Sequence, residues 1–160
     1  MSFLSRAALI LCLLTSTPTL AEELRGRVVA IADGDTLTLL VNRRQVKVRL
    51  AEIDTPEARQ PWGTRARQAL GALAARQDAR VVVMDIDRYG RTVGRVFVNG
   101  VDVNAELVRS GHAWVYRQYM TDRSLLPLEA EARAARRGLW SLPERERIPP
   151  WAWRRQQRRG

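Results

Sequence analysis

The stretch QVKVRLAEIDTPE, residues 45–57, shows most directly how this chain folds. Apolar and polar residues alternate through its first half, with three apolar side chains on one side and Arg49 on the other. Strict alternation is typical of a β-strand with one buried face. The pattern therefore predicts a strand over 45–50 that directs Arg49 away from the core, followed at once by a loop rich in carboxylates.

The segments on either side of this strand predict the rest of the fold. Further β-rich runs cover 24–32, 36–41, 80–86 and 92–98. Asp33-Gly34-Asp35, between the first two of these runs, is a strong hairpin signal. Apolar residues at helical spacing predict helices at 62–76, about 102–110 and roughly 122–137. Three strands, a helix, two strands and two helices indicate a mainly β protein with α (α+β), a five-stranded Greek-key barrel of the OB-fold type with three helices.

The first residues are expected to be a signal peptide, not part of the barrel. Arg6 precedes an apolar run, and Thr19-Leu20-Ala21 fits a cleavage site, so residues 1–21 would be removed after Ala21 and the protein would be secreted or periplasmic. A buried N-terminal helix or a membrane anchor is the alternative. Cys12, the one cysteine, lies in this segment, so the mature chain would have no disulfide and no thiolate site.

The mature chain is divided into one barrel domain, 22–142, and a basic tail, 143–160. The tail ends in WAWRRQQRRG and is expected to be loosely ordered. Its tryptophans, Trp151 and Trp153, lie among arginines. They would either stack on nucleic-acid bases while the arginines bind phosphates, or pack back on the last helix. The formal charge of +10 favours a polyphosphate partner, and a basic surface that only confers solubility is the alternative.

The residue types that are missing restrict the chemistry. His112 is the only histidine, so neither a histidine-based triad nor a histidine-ligated zinc site can be built, and His112 is expected to be structural. The chain has no P-loop and no dinucleotide-binding glycine pattern. Carboxylates without histidine or thiolate favour hard cations, and Ca²⁺ tolerates an irregular, wet shell better than Mg²⁺.

The strand ends bring together a candidate site. Asp35 leaves the first hairpin and Asp54 follows the third strand, so both are expected to approach one cation. Arg49 and Arg91 each offer a planar fork that can hold a phosphate, and Glu57 could accept a proton from a water. Taken singly, each also has an ordinary structural interpretation. Asp33-Gly34-Asp35 fits a simple turn, Arg91 fits a charged residue of a hairpin, and Glu57 fits an acid at the start of a helix.

Taken together, the motifs resemble the staphylococcal nuclease (thermonuclease) family. DGDT at 33–36, RLAEIDTPE at 49–57 and DRYGR at 87–91 carry the resemblance, which continues through 104–115 and 129–140. It implies an OB-fold, Ca²⁺-dependent endonuclease that acts on DNA and RNA. The implied reaction breaks P–O5′ and leaves a 3′-phosphate.

The resemblance also implies roles for single residues. Ca²⁺ would lie on Asp35, Asp54 and the carbonyl of Thr55. Arg49 and Arg91 would hold the scissile phosphate, while Glu57 assists the water.

The substrate-binding residues depart in part from the family pattern. Arg88 stands where the best-known member of the family has a lysine near the substrate's terminal phosphate, and Tyr89 beside it is kept. The position of a second nucleotide-contacting tyrosine of the family corresponds to Arg117 in this chain. Tyr116 or Tyr119, on either side of it, is therefore expected to substitute. Glu52, a further acid nearby, is expected to be outer-shell or solvent-facing.

Two functions other than nuclease activity fit the same composition. One is a non-catalytic OB-fold module that binds nucleic acid, and the other is a polyanion or membrane-surface binder that needs no Ca²⁺. The presence of all the acids and arginines named above favours an enzyme. The protein is expected to be a monomer with no membrane span in the mature chain.

Overall fold

The computed structural model of the chain describes residues 22–159, so the predicted signal peptide and Cys12 lie outside the described residues. The strands are β1 (Glu23–Ile31), β2 (Thr36–Val41), β3 (Arg44–Leu50), β4 (Ile53–Asp54), β5 (Asp78–Ile86), β6 (Thr92–Val98), β7 (Val101–Asp102) and β8 (Trp114–Val115). The α-helices are α1 (Gly63–Ala74), α2 (Val103–Arg109), α3 (Leu125–Ala134) and α4 (Pro150–Gln157), with short 3-10 helices at Gly138–Ser141 and Glu144–Glu146. Within 22–159 no helix has the length and apolar character needed to cross a bilayer.

Five of the strands form a closed barrel. Neighbours in the order β3-β2-β1-β5-β6 pair antiparallel, and a parallel pairing of β3 with β6 closes the ring, with Val48 opposite Thr92. The predicted α+β class and OB-fold barrel are therefore confirmed. β7 continues the sheet beyond β6, while β4 and β8 form a separate two-stranded pair.

The core fills the barrel and the space under the helices. Alternation in β3 works as predicted, since Val48 and Leu50 are fully buried while Arg49 lies on the opposite face. Burial of each large aliphatic side chain contributes about 1.5–3 kcal/mol, so this interior dominates the stability. The largest buried aliphatic residues include Leu37, Leu39, Leu50, Leu70, Val81, Leu107 and Leu125.

A buried asparagine connects α2 to the barrel. The Asn104 side chain accepts from the backbone N–H of Val96 at 3.0 Å. Its amide donates to the carbonyls of Ala51 at 2.9 Å and Gly94 at 3.3 Å. Because Asn104 is fully buried, these bonds satisfy backbone groups that water cannot reach.

The expectation of three helices and a loosely ordered tail is wrong. α4 begins at Pro150, where the fixed φ of proline suits the first helical position, and the helix folds back on the domain. Trp151 packs edge-on against Trp114 at 5.9 Å between ring centroids, and Trp114 packs in the same way on Trp140 at 4.4 Å. The fold-back interpretation is thus correct for Trp151, because aromatic packing outweighs the cost of ordering a short segment.

His112 has the structural position expected of it. Trp62 Nε1 donates a hydrogen bond to His112 Nδ1 at 3.0 Å, and the two rings lie 6.0 Å apart. Burial lowers the pKa of His112. The neutral imidazole therefore fits this site, while a protonated Nδ1 could not accept the Trp62 bond.

This lowered pKa predicts a pH-dependent loss of stability. As the pH falls below about 6.5, the unfolded chain takes up a proton on His112 that the folded protein resists, so the free energy of unfolding decreases. Urea unfolding of the native protein and His112→Gln from pH 7.5 to 5.5 isolates this effect, since all other groups titrate in both. The stability advantage of the native protein should shrink toward pH 5.5. A constant difference would contradict a lowered His112 pKa.

Candidate active site

The end of the β1–β2 hairpin fixes Asp35 against the loop that follows β4. One Asp35 oxygen, Oδ2, accepts from the backbone N–H of Thr55 at 3.0 Å and from the Thr55 hydroxyl at 3.1 Å. Gly34 makes this approach possible, because a Cβ at that position would lie 2.7 Å from Thr55 Oγ1. Asp35 is only 6 % exposed, so its carboxylate is held in one place.

Asp54 reaches the same place from β4, whose pairing places it opposite Trp114 on β8. Arg49 Nη2 lies 3.1 Å from Asp54 Oδ1 and 3.8 Å from Asp35 Oδ2. Arg49 also donates to the carbonyls of Leu50 and Ile53, which pins its guanidinium between the two acids. The two carboxylates therefore converge on one guanidinium.

Burial raises the pKa of two acids in this region, Asp54 and Asp33. Burial raises the pKa of Asp54 to about 6, against the opposing effect of its arginine partners. Burial, with the nearby charge of Asp35, also raises the pKa of Asp33 to about 6. Carboxylates that are costly to ionise gain most from a bound cation, since the cation stabilises their charged forms.

The donor set at this point fits a hard cation in part. Asp35 and Asp54 supply carboxylate oxygens, which suit Ca²⁺ or Mg²⁺. Within residues 22–159 no group of three or more Asp, Glu, His or Cys side chains is arranged to hold a metal ion. A complete shell would therefore need the backbone carbonyl of Thr55, waters or substrate oxygens in addition.

Arg91 lies next to the strand that carries Arg49. It precedes Thr92, the β6 residue opposite Val48 on β3. Its Nε is 2.7 Å from Asp87 Oδ2, and its backbone N–H donates to the same carboxylate at 3.0 Å. The guanidinium of Arg91 is thus held by Asp87, one residue before the β6 position that pairs with β3.

The same hairpin presents Arg88 and Tyr89 to solvent. Arg88 Nη2 donates to the Tyr89 hydroxyl at 2.7 Å, and its guanidinium lies 4.8 Å from the centre of the Tyr89 ring. Tyr89 is 69 % exposed. The pair offers one charged and one aromatic group on the surface.

The two tyrosines near position 117 differ in accessibility. Tyr116 stacks on Trp151 with ring centroids 5.1 Å apart and an interplanar angle of 3°. Tyr119 packs edge-on against Tyr116 at 4.8 Å and is 60 % exposed. Arg117 is bound to Glu129 of α3 at 2.9 Å. Of the two candidates for base contact, Tyr119 therefore has the more accessible ring.

The expectation of a solvent-facing Glu52 is wrong, while the outer-shell alternative stays a prediction. Glu52 is 4 % exposed and accepts from the Thr121 hydroxyl at 2.6 Å and the Asp122 N–H at 2.8 Å. Arg95 Nη1 is bonded to its other oxygen at 3.0 Å. These bonds hold the pKa of Glu52 below its usual value against the effect of burial. Glu52 thus anchors the loop that follows Tyr119.

Arg154 is the site residue that sequence reasoning missed. Its Nη2 lies 2.7 Å from Asp54 Oδ2, and its Nη1 lies 2.7 Å from Glu57 Oε1 and 3.2 Å from Asp54 Oδ1. The available signal was Pro149-Pro150, which favours a helix start, followed by Trp151 and Arg154 three residues apart. Such spacing places both side chains on one helical face.

Comparisons with known proteins give a consistent result. The family described as "Staphylococcal nuclease homologue" matches residues 47–142. The chain is 46 % identical to "Protein ParB" of Escherichia coli over 97 % of its own length and 92 % of that protein. It is 44 % identical to a "Micrococcal nuclease" of Shigella flexneri over 95 % and 92 % of the two chains. It is 43 % identical to an "Uncharacterized endonuclease" of Escherichia coli O157:H7 over 87 % and 90 %.

Proposed function

Because the chain belongs to the staphylococcal nuclease family, we propose that it is a secreted, Ca²⁺-dependent endonuclease that hydrolyses phosphodiester bonds of DNA and RNA. The observation that carries this proposal is the convergence of Asp35 and Asp54 on the Arg49 guanidinium. Two buried acids beside an arginine fork suit a site that holds a cation and a phosphate together.

The proposed metal ligands are Asp35, Asp54 and the backbone carbonyl of Thr55. When bound there, Ca²⁺ supplies positive charge close to the phosphate oxygens on which negative charge develops. The hydrogen bonds from Thr55 orient Asp35 for this role. Arg49 is held by the carbonyls of Leu50 and Ile53, so its fork needs little reorganisation to bind a phosphate.

Arg91 and Glu57 have complementary parts in the proposed hydrolysis. Arg91 binds a second phosphate oxygen, with the fixed β6 hairpin behind it. Glu57 accepts a proton from the attacking water as the new P–O bond forms. The P–O5′ bond breaks, the leaving oxygen takes up a proton, and the products carry a 3′-phosphate and a 5′-hydroxyl.

The surface around the site suits a polynucleotide more than a small phosphate ester. Arg88, Tyr89, Tyr116 and Tyr119 are the proposed substrate-binding residues, with Tyr89 and Tyr119 the more exposed rings. Stacking on aromatic rings tolerates every base, and a formal charge of +10 attracts either kind of nucleic acid. These features support activity on both DNA and RNA.

A non-catalytic nucleic-acid-binding module explains the site less well. In such a module, the charges of Asp35 and Asp54 would repel the phosphate that Arg49 attracts. A cation held by Asp35 and Asp54 would remove this conflict by neutralising their charge. The acids therefore favour the catalytic proposal over simple binding.

Digestion of DNA and RNA with and without Ca²⁺ tests the proposal. The purified mature protein, residues 22–160, should degrade plasmid, denatured DNA and RNA with Ca²⁺ and leave them intact with a chelator. End-group analysis of the fragments should find 3′-phosphates. Equal degradation in both tubes would contradict the metal dependence, and binding without cleavage would favour the non-catalytic module.

A further inference from the structure

The C-terminal helix is fixed next to the catalytic acids by two contacts other than Arg154. Trp151 stacks on Tyr116 and packs edge-on against Trp114. Just before the helix, the Gln60 side chain donates a hydrogen bond to the carbonyl of Ile148. Because these contacts anchor α4, the Arg154 side chain is presented to the acids at a high effective concentration.

The Arg154 guanidinium contacts carboxylate oxygens that a bound metal ion would also use. Its guanidinium engages both oxygens of Asp54 and one oxygen of Glu57, at 2.7 to 3.2 Å. Charge-assisted bonds of this two-pronged kind are among the stronger hydrogen bonds in proteins. The fork thus occupies oxygens of a proposed metal ligand and of the proposed general base simultaneously.

The Arg154 guanidinium borders open space on the side away from Asp54. Its side chain is 36 % exposed, so water reaches the guanidinium. A cleft of about 490 Å³ beside it is lined by Glu57, Arg59, Trp153 and Arg158. The exposure and the adjoining cleft thus leave open space beside the guanidinium, while Trp151 keeps α4 in place.

We propose that Arg154 is a positioning residue that sets the metal affinity of the site: a tethered guanidinium that competes with the divalent ion for Asp54 and holds Glu57 in the ion-free protein. This inference rests on the proposed function. Binding of the ion breaks the Arg154–Asp54 pair, so part of the binding free energy is spent on that exchange. Loss of the guanidinium removes this cost and also removes a nearby positive charge. Both changes should strengthen Ca²⁺ binding.

Calorimetric titration of the purified protein with Ca²⁺ alone, at pH 8 and without nucleic acid, tests the proposal. We expect Arg154→Gln to bind Ca²⁺ with a Kd roughly ten-fold lower than the native protein. Arg154→Lys, which keeps the charge and loses the fork, should lie between the two. An unchanged or higher Kd for Arg154→Gln would overturn the proposal.

A matched control separates the contact from the charge. Arg155→Gln removes the same charge from the next, exposed residue of α4 and should shift the Kd much less. Equal shifts in the two variants would overturn the proposal, since a general charge effect would explain both. Binding of an octathymidylate with a chelator present should be no weaker for Arg154→Gln than for Arg155→Gln. Selective weakening would make Arg154 a phosphate ligand and overturn the inference.

The same titrations distinguish failure of this inference from failure of the proposed function. If the native protein and Arg154→Gln bind Ca²⁺ with equal affinity, only the role of Arg154 is wrong. If neither binds Ca²⁺, the metal assignment of the proposed function is wrong, and the inference falls with it.

Discussion

Replacement of Asp35 by asparagine is expected to lower the Ca²⁺-dependent hydrolysis of DNA by roughly a hundred-fold or more, since loss of even an outer partner of a metal ligand costs 10–100-fold. Asparagine keeps an oxygen that can accept from the Thr55 N–H, now 3.0 Å from Asp35 Oδ2. The local fold should therefore survive while the carboxylate charge is lost. Initial rates at fixed Ca²⁺, with a thermal unfolding profile of the same sample, measure both effects.

Asp78→Asn is the matched control for this experiment. Asp78 is exposed at the start of β5, so the same chemical change there should leave hydrolysis close to native. Retention of the native rate by Asp35→Asn, with the control equally active, would show that Asp35 is not a metal ligand. A large loss in the control would point to a general charge effect instead.

Replacement of Asn104 by alanine is expected to lower the free energy of unfolding by about 3 kcal/mol or more. The change leaves the N–H of Val96 and the carbonyl of Ala51 without the side chain that now bonds to them, while the Gly94 carbonyl still accepts from the Ala51 N–H at 2.8 Å. Each such buried, unsatisfied group costs about 1–3 kcal/mol. Urea unfolding followed by circular dichroism measures the effect.

An exposed amide provides the comparison for Asn104. Gln118→Ala removes a solvent-facing side chain and should change the stability by no more than about 0.5 kcal/mol. If Asn104→Ala unfolds at the same urea concentration as Gln118→Ala, another group or trapped water must satisfy the Val96 N–H and the Ala51 carbonyl. The proposed bridging role of Asn104 would then be wrong.

Most of the barrel could be predicted because its signals are local. The alternation of β3 and the turn signal at Asp33-Gly34-Asp35 follow from side-chain periodicity and backbone preference, and both agree with the structure. The short strands β4, β7 and β8 have two residues each, too few to show a period. Their existence depends on partners distant in sequence, which a local pattern does not contain.

The candidate site could be predicted in part. Asp35, Asp54 and Arg49 come from strand ends that an OB-fold places together, so their convergence followed from topology. Arg154 could not be placed in this way, since it is 100 residues from Asp54 in the chain. Nothing in a basic tail specifies which of its arginines meets which acid.

The sequence by itself determined which groups are available to this protein: many carboxylates and guanidiniums with a single histidine and a single cysteine, on strands whose alternation sends Arg49 out of the core. Periodicity and residue chemistry act over a few positions, so they can be read without coordinates. Only the tertiary structure decided that Glu52 anchors a loop and that α4 folds back to place Arg154 on Asp54 and Glu57. Such pairings depend on packing between distant segments, where the burial of Trp151 against Trp114 and Tyr116 selects one arrangement among many.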